Sequence, residues 1–80
     1  MTAQTFRELR EYVAISLCTI EQLGMLRARA RSRLAFAVGH EQVVLECRIA
    51  GYTTEILRLE ESTGEVQAEL ARRGGGDGEA

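Results

Sequence analysis

Apolar and small residues recur in this chain at alternating intervals of three and four, and that period limits the fold more than any other feature. The first run passes through Phe6, Leu9, Val13, Ser16, Ile20, Leu23, Ala30, Leu34 and Ala37, with Arg27 the one misfit. The second passes through Leu45, Ile49, Tyr52, Ile56, Leu59, Thr63, Val66 and Leu70 without a slip. A half-buried strand alternates every two residues, whereas three-four spacing lays one stripe along a helix and marks the seam of a coiled coil. There is no proline to interrupt either run. The spacing therefore predicts an all-α chain with two long helices, about 4–38 and about 40–73, in one domain covering residues 1–73.

The two runs are out of frame with each other. Carrying the first through Ala37 would place seam positions at Glu41 and Val44, whereas the second is centred on Leu45 and Ile49. A break near residue 39 follows, and Gly39 suits the left-handed conformation that ends a helix, with His40 and Glu41 opening the next. Folding the chain back there pairs residues whose numbers sum to 79: Leu34 with Leu45, Leu23 with Ile56, Ile20 with Leu59, Val13 with Val66 and Leu9 with Leu70. Ser16 then opposes Thr63 in a mildly polar layer that helps to define register, and Arg27 opposes Tyr52, whose ring its guanidinium can cover. The expected architecture is an antiparallel, coiled-coil-like two-helix hairpin; the competing arrangement, a straight antiparallel dimer, needs a continuous helix through Gly39. Gly64, after Ser62 and Thr63, is a point where the second helix can stop early, and residues 74–80 form a glycine-rich tail expected to be disordered.

A chain of 80 residues has difficulty burying enough apolar surface to stand alone. Residues left off the seam supply a second surface. Val43, Cys47, Ala50, Thr54 and Leu57 form another stripe on the second helix, and Ile15, Cys18, Met25 and Phe36 fall off the seam of the first. Contiguous exposed apolar surface marks interfaces, so Met25, Phe36, Val43, Cys47, Ala50 and Leu57 are the expected self-association residues of a homodimer, two hairpins closing into a four-helix bundle.

The charge pattern narrows function only by class. The formal net charge is −2, which provides no global attraction to nucleic acid or to an anionic membrane. No apolar run is long enough to span a bilayer, and the first ten residues lack the layout of a signal peptide, so a cytoplasmic location is expected. Cys18 and Cys47 lie far apart without metal-ligand spacing, and His40 is a lone histidine beside a turn. The glutamates lack Glu-x-x-His pairs, and the glycines of residues 74–78 lack the lysine of a phosphate loop. No cofactor, metal or catalytic residue is assigned.

The densest charge cluster is Arg27, Arg29, Arg31 and Arg33. Residues two apart on a helix differ by about 200°, so Arg27 and Arg31 point one way and Arg29 and Arg33 nearly the other. Arg31 is expected to meet Glu46 across the hairpin, which leaves Arg33 and Arg48 without an evident partner; together with Arg29 they are the candidate partner-binding set.

From Phe6 to Arg27 the chain resembles the first helix of the all-helical chorismate mutases, in which two arginines 17 residues apart bind substrate carboxylates; Arg10 and Arg27 have that spacing. The resemblance covers about a quarter of the chain. The lysine which that family needs falls near Val38, and the later helices do not match, so enzymatic activity is not expected. The reading is a non-enzymatic protein–protein interaction module, a small regulator, inhibitor or assembly factor acting on a larger partner. The alternative is a hairpin dimer that binds RNA or DNA through the arginines near the turn.

Overall fold

The structure is a computed structural model that describes residues 5–74. It is all-α: α1 (Phe6–Leu34) and α2 (His40–Gly74) pack against each other as a helical hairpin. The result is a rod of 57 × 23 × 14 Å, its length set by the 35-residue α2 at about 1.5 Å per residue.

α1 starts where the local chemistry directs it. Thr5 is extended (φ −73°, ψ 160°), and its hydroxyl accepts from the Glu8 amide at 3.0 Å while the Thr5 amide donates to the Glu8 carboxylate at 3.0 Å. This reciprocal capping box satisfies two backbone donors at a helix start. The other end comes earlier than the apolar spacing suggests. Leu34 is the last helical residue, followed by tightened bonds from the Phe36 amide to the Arg33 carbonyl (3.0 Å) and from the Ala37 amide to the Leu34 carbonyl (3.2 Å). The chain must cross the roughly 8–10 Å between packed helix axes, and residues 35–39 are spent on that crossing.

Gly39 does adopt the left-handed conformation, with φ 64°. Its position differs from the expected one. It lies beyond the end of α1 and serves the start of α2, its carbonyl accepting from the Val43 amide at 3.3 Å. Downstream, α2 runs without interruption through Gly64. The disorder expected of the glycine-rich tail falls outside the described residues, apart from Gly74 at the end of α2.

The core is the predicted seam. Leu9, Ala30, Leu45 and Ile56 are the buried apolar residues, joined by Ser16 and Thr63, and all six lie on the two three-four runs. Ser16 and Thr63 are both buried, and the Thr63 hydroxyl finds no hydrogen-bond partner among the described residues. Bonds across the hairpin show that the helices run antiparallel: Tyr12 with Ser62, Arg33 with Glu41 at 2.9 Å, and the Arg27 guanidinium donating to the Thr53 hydroxyl at 3.2 Å. Arg27 thus reaches Thr53 rather than stacking on Tyr52. The cation–π contact in the structure is Arg10 over Phe6, 5.7 Å from the ring centre.

Candidate functional site

Because the core is one layer thick, any site must lie on the surface of the rod. One surface stands out through what the hairpin brings together. Arg29 and Arg33 are one turn apart on α1 and so share a side of that helix. The antiparallel pairing sets Arg48 of α2 against the same flank. These three arginines line a shallow groove of about 190 Å³ whose floor is Leu26 and Ala30 from α1 and Leu45 and Tyr52 from α2. A second concavity, about 270 Å³ and lined by Gln22, Met25, Leu26 and Arg29, continues it along α1.

The electrostatics of the groove differ from the expectation in two respects. Arg33 has a partner, Glu41, at 2.9 Å, an exposed pair brought within reach because α2 begins at His40, six residues after α1 ends at Leu34. Arg31 does not pair with Glu46, which instead accepts a long 3.4 Å bond from Gln42 one turn earlier on its own helix. Arg29 and Arg48 are both exposed and make no ion pair among the described residues, so two positive charges flank the apolar floor.

The other ion pairs among the described residues lie within a helix. Arg7 pairs with Glu11 at 3.4 Å, Arg58 with Glu55, and Glu69 holds both Arg72 and Arg73, the latter at 2.7 Å. Hydrogen bonding and charge from Glu55 raise the Arg58 pKa above its already high ordinary value. The exposed pairs among these serve mainly to keep the surface solvated.

The residues expected to mediate self-association are all exposed, but they do not form one patch. Val43, Ala50 and Leu57 follow one another at intervals of seven along one edge of α2, with Cys47 beside them. Arg48 lies about 200° from Ala50 around the helix, so this edge faces away from the groove. Met25 adjoins the groove side of α1 instead. Phe36 is not on α1 at all: it lies in the turn, 88% exposed, with Val38 at 79% nearby.

His40 is exposed at the first residue of α2, and Cys18 and Cys47 are exposed free thiols on different helices. No group of three potential metal ligands occurs among the described residues. Arg10 lines an open concavity of about 510 Å³ formed by α1 alone near its start, in which Arg27 takes no part. No helix among the described residues is long and apolar enough to cross a membrane.

The capping box was legible as Thr5-x-x-Glu8 just before the first apolar run. The groove was not, because its two lips come from different helices. Comparison of the chain with protein-family models, with curated proteins and with solved structures finds no match.

Proposed function

We propose that this chain is a non-enzymatic protein-interaction module, in which two hairpins pair into a four-helix bundle and a larger protein is bound through the arginines beside the turn. The supporting observation is the mismatch between a thin core and an apolar surface. Only four apolar residues are buried among those described, whereas Ile15, Met25, Val43 and Leu57 are each more than half exposed. Exposed side chains of this kind on a chain with so small a core are stabilised by a second layer.

The edge of α2 carrying Val43, Cys47, Ala50 and Leu57 is the surface for a second copy. It lies on a rod whose broad side measures 57 by 23 Å, enough for the roughly 800 Å² per partner of a standard specific interface. Pairing there leaves Arg48, on the other side of α2, and Arg29 and Arg33, on α1, accessible.

Sedimentation at micromolar concentration tests this reading. The wild-type chain is expected to sediment as a homodimer, and Leu57→Glu or Cys47→Glu as a poorly folded monomer. A wild-type monomer that unfolds cooperatively and independently of concentration would refute it. The convergence of three arginines supports a second reading, an RNA- or DNA-binding hairpin dimer, distinguished by an affinity that collapses as salt rises.

A further inference from the structure

The groove beside the turn combines unpaired positive charge with an apolar floor, and the two together describe an occupant. We infer that it receives an acidic amphipathic helix of another protein, with one apolar side chain seated on Ala30, Leu45 and Tyr52 and the flanking carboxylates held by Arg29 and Arg48. The inference rests on reading the chain as a protein-binding module and specifies the chemistry of its partner.

Size argues first. At about 190 Å³ the groove is smaller than the roughly 300 Å³ at which small-molecule pockets begin, so it fits an anchoring side chain better than a whole metabolite. Its continuation past Met25 and Gln22 makes a track from Gln22 to Arg33, about 16 Å at 1.5 Å per residue, the length of three helical turns.

Charge argues next. Arg29 and Arg48 stand on opposite lips without acidic partners among the described residues, whereas Arg33 is already paired with Glu41. Two free guanidiniums on either side of an apolar floor match glutamates placed three or four residues on either side of an apolar anchor, the spacing of one helix face. Guanidinium forks hold carboxylates in bidentate geometry. A phosphate backbone would use the arginines but leave the apolar floor without a complement.

The probe is a fluorescein-labelled synthetic helix with leucine anchors flanked by glutamates. Its glutamine and lysine counterparts, a short single-stranded RNA and a short duplex DNA are the controls, each titrated with the full chain by anisotropy. The glutamate helix is expected to bind and the glutamine helix not. Arg29→Glu with Arg48→Glu should weaken binding at least about tenfold and transfer preference to the lysine helix. Circular dichroism confirms that the variants remain folded, and sedimentation of the same proteins reports self-association separately, so loss of peptide binding with the dimer intact concerns the groove alone. The inference is overturned if wild type does not bind the glutamate helix, or if the arginine variants bind it as well as wild type. It is also overturned if nucleic acid binds more tightly, with affinity collapsing between about 50 and about 200 mM salt.

Discussion

Replacing Thr63 by valine should make this protein more stable. Thr63 is 2% exposed, and its hydroxyl has no hydrogen-bond partner among the described residues. Thr19, by contrast, donates to the Ile15 carbonyl one turn back at 2.9 Å. A buried hydroxyl without a partner costs about 1–3 kcal/mol by mutational measures. Valine keeps the branched shape, removes that cost and adds apolar surface to a seam position. For a domain of this size each kcal/mol moves the thermal midpoint by about 4–8 °C, so a rise of several degrees is expected in far-ultraviolet circular dichroism melts at matched protein concentration. A lowered midpoint would mean that the hydroxyl is hydrogen-bonded and that the Ser16–Thr63 layer is packed differently. The gain should carry a cost in specificity, since a polar layer in a coiled-coil seam penalises shifted registers. With Cys18 and Cys47 removed and cysteines placed at Leu9 and Leu70, the parent seam should give one intramolecular crosslink, and the Thr63→Val seam additional products.

Two further perturbations probe the core and the cap. Leu45, 3% exposed, is among the few buried apolar side chains, so Leu45→Ala should cost about 2–5 kcal/mol in denaturant unfolding, enough to unfold much of the population. A loss below about 0.5 kcal/mol would show that the turn end of the seam is not packed. Thr5→Ala removes the hydroxyl from the capping box and should lower stability by about 1 kcal/mol, with fraying confined to the first turn of α1 in amide exchange. Unchanged protection of those amides would show that the cap is dispensable.

The sequence by itself determined the helical class, the seam and the antiparallel pairing, because a three-four period has one physical solution and two such stripes out of frame must be joined by a break. All six buried residues were identifiable from that period, and Gly39 from its place at the break. Tertiary structure alone decided where α1 ends, because the residues after Leu34 remain apolar and only the need to cross between helix axes takes them out of the helix. It also decided which charges are free. Whether Arg33 meets Glu41, and whether Arg31 meets Glu46, depends on the flank and level at which the second helix returns. The groove follows from the same fact: Arg29 and Arg48 are 19 residues apart, and no spacing along the chain states that they share a flank. One-dimensional periodicity specifies which face of a helix is buried, whereas the relation between two exposed flanks exists only after the helices have packed.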